Sequence, residues 1–386
     1  MSEALPLQLK LYSSLRDIPE AAWNQLVLQD LQALPFMEWR WLEAFESSGC
    51  VSPETGWQPS HLTLWRGNHL VAAAPAYLKY DSHGEFVFDW SWASAAERLG
   101  IAYYPKLLLA APLAPATGTR MLVAAGEDRA AREAELIRGA LQLARSEGLS
   151  SVHVLFCTEQ ESAHLEAQGF CVRHGVQYHW KNHDYATYDD FLARFNSKRR
   201  NQLRRESKAV ADGGVTLHTI EGEALATVDP KLVYALYAST VDRHVWGRRH
   251  LNFEFFQTVM RDFRHRIQLV LAKKADRVVA GAFNLLGPQT LYGRYWGSLE
   301  EVPFLHFKVC LYHPVEEAIA RKLARFEPGA GGEHKLVRGF EPSLTYSAHW
   351  ISDATLDRAV RDFLTHERAA IAQGLPAWNA ETGFKT

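Results

Sequence analysis

The sequence has little that would mark a special environment. Its 386 residues hold no apolar run of about 18, the length a spanning helix needs, so no transmembrane segment is expected. The longest apolar stretches, LVAAAPAYL (70–78) and LLLAAPLAP (107–115), are of strand length. The N-terminus, MSEALPLQLKLY, lacks the basic region and apolar core of a signal peptide. Only four cysteines occur, Cys50, Cys157, Cys171 and Cys310, with no CxxC pair or zinc spacing. That argues against a disulfide framework and a zinc ribbon, and it fits a reducing cytoplasm. The formal charge is only -2, from 42 basic and 44 acidic residues, so no global field draws the chain to nucleic acid or a membrane. There is no GxxxxGK[ST] phosphate loop and no low-complexity segment.

What is present is globular: 47% apolar and 22% charged residues, with 12 Trp, enough for two or three domains. The first half reads as a strand LQLKLY, helices over 18–29 and 36–49, and strands HLTLWRG, HLVAAAPAYLKY, EFVFDW, KLLLAAP and RMLVA. A helix over 127–147 follows, with Ile137, Ala140, Leu141 and Ala144 at helical spacing and Gly148 at its end. Then come a buried strand SVHVLFC, a helix EQESAHLEAQ, Gly169-Phe170 and a strand CVRHGVQYHW. The second half restarts with helices YDDFLARF and SKRRNQLRRESKAVADGG, a strand VTLHTI and two more helices. A three-strand meander, a helix over 304–323, a strand ARFEPG, a glycine-rich loop, a strand LTYSAHWI and a last helix over 355–373 complete it. A mixed α+β layout thus occurs twice, with mostly antiparallel strands and a boundary near 182–187, giving domains 1–185 and 186–386.

SVHVLFCTEQESAHLEAQGFCVRHGVQYHW resembles the end of a GNAT acyltransferase domain, and RVVAGAFNLLGPQTLYGRYWG with the following helix resembles its acyl-binding meander. Two such halves in tandem resemble the FemAB-like acyltransferases. Longer stretches agree: GWQPSHL, PAYLKYDSHGEFVFDWSWA, YYPKLLLAAPLAPATGTRML, LYGRYWG, PFLHFKVC and FEPGAGGEHKLVRGFEPSLTYSAHWI are similar to the bacterial FemAB-like group described as peptidoglycan biosynthesis or recognition proteins and predicted N-acyltransferases. The resemblance covers residues 35–351. It implies two tandem GNAT-like α+β domains and transfer of an aminoacyl or acyl group to an amine, with aminoacyl-tRNA or acyl-CoA as co-substrate and no tightly bound cofactor.

Amide formation needs a deprotonated amine, a polarised carbonyl and a protonated leaving group. Lys335 stands where better-known Fem aminoacyltransferases carry a Phe-Lys pair, which implies that it stabilises developing charge. Here the pair is His334-Lys335, a departure from that pattern. The alternative for Lys335 is a surface lysine on a loop. Gly329, Gly331 and Gly332 allow left-handed backbone, so their N–H groups can turn towards an anion. His334, Glu333 and Glu327 are candidate bases, or solvated loop residues. Tyr292 and Tyr295 on LYGRYWG are candidates to protonate the leaving group, or packing aromatics. Strand alternation puts them on opposite faces, with Trp296 on the side of Tyr292.

Lys198, Arg199, Arg200, Arg204, Arg205 and Lys208 crowd one helix, on which Arg200, Arg204 and Lys208 form an i, i+4 row. Leu203 and Val210 are its main apolar anchors. Like charges at this spacing cost a few tenths of a kcal/mol per pair, which argues for an anionic counterpart. Phosphates of tRNA or of a small nucleotide fit it, and a solvated face is the alternative. No Gln/Arg-x-x-Gly-x-Gly/Ala pyrophosphate loop precedes the helix at 304, which weighs against CoA. A second basic-aromatic stretch holds Arg243, His244, Trp246, Arg248 and Arg249, with Arg248 placed to clamp a carboxylate or phosphate. His306, Cys310 and His313 share a helix face, but with no fourth ligand and with Pro314 adjacent, no metal site is expected. Lys308 and His313 replace an acidic residue and a glutamine usual in relatives. EFVFDWSW lines an acceptor groove or packs in the first core; packing is the expectation.

Overall fold

The structure is a computed structural model that describes residues 5–243 and 247–385. The chain forms two compact units, residues 1–175 with 344–371, and residues 176–343 with 372–386. The division falls ten residues before the expected boundary at 185/186. The chain also returns to the first unit at residue 344, because most of a late strand and of the last helix packs there.

The first unit contains β1 (Leu7–Tyr12), α1 (Glu20–Gln29), α2 (Trp39–Ser47), β2 (Trp57–Pro59), β3 (His61–Arg66), β4 (His69–Ala74), β5 (Ala76–Lys79), α3 (Trp90–Arg98), β6 (Lys106–Leu109), β7 (Leu122–Val123), α4 (Arg129–Ser146), β8 (Ser151–Cys157), α5 (Glu159–Ala167) and the start of β9 (Cys171–Lys181). β1, β3, β4 and β7 make an antiparallel sheet. β2, β5, β6 and β8 belong to a second sheet, in which β6 and β8 run parallel. Asp128 caps α4 by accepting from the Ala131 N–H, and Gly148 follows its end at φ 64°. The buried stripe Leu136, Ile137, Ala140 and Ala144 packs against Leu107, Leu109, Val152 and Val154. Burying each large aliphatic side chain there is worth roughly 1.5–3 kcal/mol.

Two expectations fail locally. HLVAAAPAYLKY is not one strand: Pro75, with no N–H to give a ladder, separates β4 from β5, and these lie in different sheets. EFVFDW is not a strand at all. Phe86 sits at φ 58°, and Glu85 and Asp89 turn inward to Lys106, at 2.9 and 2.5 Å from its Nζ. The chain then enters α3, which the alternating aromatics had hidden.

The second unit runs α6 (Tyr188–Ala193), α7 (Ser197–Asp212), β10 (Val215–Glu221), α8 (Pro230–Val241), α9 (Phe253–Asp262), β11 (Ile267–Lys274), β12 (Arg277–Leu286), β13 (Thr290–Ser298), α10 (Leu305–Phe307), a π-helical turn (Lys308–Tyr312), α11 (His313–Ala320) and β14 (Arg325–Glu327). A 3-10 turn (Glu333–Arg338) precedes β15 (Glu341–Ile351), and α12 (Ala354–Ala380) ends the fold. The last eight residues of β15 and the first eighteen of α12 belong to the first unit. β10 to β13 form an antiparallel meander, and β14 then pairs parallel with β13. The π turn lies just before Pro314: proline cannot donate and its ring clashes with the carbonyl four residues back, so the helix widens rather than breaks. Among the described residues, no helix is long and apolar enough to cross a membrane.

Candidate functional site

The site in the second unit begins at an irregularity in β13. Asn284 pairs with Gly293 but Phe283 pairs with Tyr295, so Arg294 is an extra residue in a bulge. The bulge reverses the alternation expected for LYGRYWG. Tyr292 and Tyr295 share the face of Leu285 and Phe283, and Trp296 takes the opposite one with Ala282. Tyr295 packs among Tyr237, Phe256 and Phe283, with centroids 5.4–5.9 Å away. It belongs to the aromatic core under α8 and α9.

β14 stays with β13 for only three pairs, Thr290–Arg325 to Tyr292–Glu327. The chain then leaves through Pro328 into the glycine loop, where Gly329, Gly331 and Gly332 have φ of 86, 72 and 88°. Lys335, in the 3-10 turn beyond it, is 5% exposed, which excludes the surface-lysine alternative. Its Nζ donates to the Gly329 carbonyl at 2.8 Å. Burial outweighs the pull of the nearby Cys310 sulfur and brings the ammonium down to about 8. The same burial raises the Cys310 thiol. A Cβ on Gly332 would lie 2.7 Å from His334 Cε1 and 3.3 Å from Lys335 Cε. Gly332→Ala is therefore expected to cost about 1–2 kcal/mol in backbone strain and to lower activity by displacing both side chains. A thermal melt beside a rate assay checks it, and unchanged kinetics would count against a role for the loop.

His334 is exposed, and its imidazole is held below its usual range by partial burial and by the charges of Lys335 and Arg338. It is therefore neutral at pH 7 and has a lone pair for a proton. Its ring lies 6.0 Å from His306 and 5.6 Å from Phe307, and His306 lies 5.3 Å from Trp296. These rings lead from the lysine turn to an open cleft of about 500 Å³ lined by Arg243, Trp296, Ser298, Val302, Leu305 and His306. Burial lowers His306 to about 4, with His334 and the cations Lys335 and Arg338 adding to it.

The other candidate bases lie differently. Glu333, the first residue of the turn, is exposed. Glu327 is buried, 2.9 Å from Arg325 and 3.9 Å from the buried His179, whose imidazole is lowered to about 3, first by burial and then by the nearby cations. Burial and the Glu327 charge raise the hydroxyl of the buried Tyr292. Glu327, His179 and Tyr292 thus form an inner polar layer.

Sequence reading gave α7 two apolar anchors. The structure adds a third inward residue, Glu206, which is 4% exposed between Leu203 and Val210. Outward, Arg204 pairs with Asp189 at 2.8 Å and Lys208 with Asp212 at 2.7 Å. These exposed pairs are worth about 0–1 kcal/mol and yield readily to a phosphate. Arg200, in the same row, has no acidic partner among the described residues. Arg248 is exposed, Arg249 pairs with Asp242, and His244 and Trp246 lie outside the described residues.

His306, Cys310 and His313 do not converge. The π turn rotates His313 towards Thr219, 2.8 Å away, and towards Glu316. Lys308 also pairs with Glu316, at 2.8 Å. Among the described residues, no group of three or more His, Cys, Asp or Glu side chains is arranged to hold a metal ion. In the first unit, the acidic residues of EFVFDWSW sit in a buried cluster with Lys106, Ser82 and Tyr103 rather than in a groove. Residues that the sequence did not announce are Glu206, Tyr312 and Arg338. Arg338 ends the motif HKLVR, four residues after His334; Glu206 looked like one more surface charge.

No curated protein matches the chain. Solved structures similar to it include FemX, at 13% identity and TM-score 0.52, covering 91% of this chain and all of that one. The C-terminal (DUF2156) domain assigned to a lysylphosphatidylglycerol synthetase from Agrobacterium fabrum aligns at 12% identity and TM-score 0.54, covering 90% and 96%. A conserved protein from Bacteroides thetaiotaomicron VPI-5482 aligns at 11% identity and TM-score 0.50, covering 89% and 99%. At such identities these likenesses bear on the fold alone, two GNAT-like α+β domains in tandem with mostly antiparallel sheets. A family model described as FemAB-like, peptidoglycan biosynthesis/recognition, matches residues 14–386. Matched over almost its whole length, the chain belongs to the FemAB-like family, described by its part in peptidoglycan biosynthesis or recognition.

Proposed function

We propose that the protein forms an amide by moving an aminoacyl or acyl group from an activated ester or thioester to an amine, with a peptidoglycan precursor as the acceptor and the cytoplasm as the setting. The observation that carries this reading is the buried Lys335, held over a left-handed glycine loop beside a neutral imidazole. The amine nitrogen attacks the acyl carbon, the C–N bond forms, and the C–O or C–S bond to the donor breaks. The Lys335 ammonium stabilises the oxyanion in between. His334 takes the proton of the attacking amine, directly or through water, and the departing oxygen or sulfur is protonated in turn. Glu333 is the alternative base, and Tyr292 with Glu327 forms an inner layer behind them. The family description supports the acceptor class.

For the donor, aminoacyl-tRNA is favoured over acyl-CoA. The outer row Arg200, Arg204 and Lys208 supports phosphate contact, with Arg248 and the N–H groups of Gly331 and Gly332 as further anion contacts. Binding of bulk aminoacylated tRNA across a salt series, with acyl-CoA titrated alongside, tests this. Tight tRNA binding should weaken steeply with salt, and the slope should fall by about 0.9 per lost phosphate contact in Arg200→Ala and Arg204→Ala. Saturable CoA binding with no tRNA binding would move the donor to a thioester and leave α7 a solvated face.

A further inference from the structure

We propose that Arg338 is the positioning residue of this site: it pins the turn that carries His334 and Lys335, with Glu206 of α7 as its counter-charge. The inference rests on the reading of Lys335 given above. Arg338 is 7% exposed, and three partners fix its guanidinium in plane. Nη1 donates to the His334 carbonyl at 2.9 Å, Nε to the Tyr312 hydroxyl at 2.8 Å, and Nη2 to the two Glu206 oxygens at 3.1 and 3.3 Å. Out of plane, it lies 3.6 Å from the Phe307 ring centroid. The partners come from the turn itself, from α7, from the π turn and from α10. Only a planar fork of donors satisfies them together; a lysine ammonium cannot stack on Phe307 and reach all three.

The Glu206 end is closed as well. Its carboxylate accepts from Gln202 Nε2 at 2.8 Å and from the Tyr312 hydroxyl. The buried charge of Arg338 is therefore matched and hydrogen-bonded, as a buried ion pair must be to persist. Arg338 holds His334 twice, through its carbonyl and through the Phe307 ring that both residues contact. Lys335 is the next residue. Helix α7 is then two-sided: its inner carboxylate fixes the lysine turn while its outer cations remain open to an anion.

The test follows the titration of Lys335 itself, by the pH dependence of its acetylation with acetic anhydride read by mass spectrometry. Burial is what chiefly sets that titration, and Arg338→Lys keeps a cation at the same place, so a change on that substitution reports movement of the turn. Arg338→Lys keeps the charge and loses the fork. The Lys335 midpoint is expected to move from about 8 towards its ordinary 10.5 as water enters, and kcat to fall at least tenfold with little change in KM. The neutral pair Glu206→Gln/Arg338→Gln strands no buried charge and guards against simple misfolding; it should shift the midpoint the same way. Folded variants with the midpoint still at about 8 and with kcat unchanged would overturn the proposal. If Lys335→Ala retains full activity, the catalytic reading fails, and the titration still judges Arg338 separately.

Discussion

Lys335→Ala is expected to reduce transfer by about 10²–10³-fold, the usual cost of removing one donor to an oxyanion, while leaving the protein folded. A charge-stabilising lysine must be protonated, and burial places its midpoint at about 8. Activity should therefore fall as pH rises through about 8. Lys335→Arg, charged throughout, should keep part of the activity and lose that alkaline limb. A rate that instead rises through pH 8 would make Lys335 a base. The same burial is a strain on the fold. The folded ammonium gives up its proton near 8, against about 10.4 in an unfolded chain, so the penalty is complete below pH 8. It fades between 8 and 10.4, where stability rises with pH. The difference amounts to roughly 3 kcal/mol at neutral pH. Lys335→Met should thus raise the Tm at pH 7 while abolishing activity, and a lower Tm would show that the contact with Gly329 outweighs the burial.

Lys106→Met in the first unit should do the opposite, costing about 3–5 kcal/mol by stranding its partners. Lys106 is fully buried and donates to Glu85, Asp89 and Ser82, and Tyr103 donates to Asp89. Burial raises the Glu85 carboxyl to about 7, helped by Asp89 and opposed by Lys106. Asp89, though buried, is held below its ordinary value by Lys106 and its hydrogen bonds. The stability Glu85 contributes as a neutral acid is complete below about 4.5 and is lost as pH rises through 7. Urea melts of Lys106→Met at pH 5 and pH 8 should show the larger loss at pH 8, where the variant must either bury carboxylate charge unmatched or take up a proton that the wild type does not need. Equal, small losses at both would mean the cluster is solvated.

The elements that periodicity announced were those held by local pattern: α4 with its Leu136–Ala144 stripe, α5 with its Thr158–Glu161 capping box, and the meander β11 to β13. What escaped the sequence depended on distant partners. EFVFDW alternates like a strand, yet its acids are drawn to Lys106, 17 and 21 residues away. The faces of Tyr292 and Tyr295 turn on one extra residue at Arg294, which no side-chain pattern signals. Lys335 stood out as a candidate because glycines and a family resemblance surround it. Its support did not: Glu206 stands 132 residues from Arg338 and sits among cations that disguise it.

The return of the chain to the first unit sets an order on the ribosome. β8 is hydrogen-bonded by β6 on one edge and by β15 on the other, and residues 344–371 emerge only after the whole of 176–343. For that interval the nascent first unit carries an apolar strand with one bare edge, the template on which chains aggregate. A chaperone requirement during synthesis, absent once release is complete, is the biological signature to expect. Residues 1–175 produced alone should precipitate, whereas the same fragment supplied with 344–371 in trans should stay in solution.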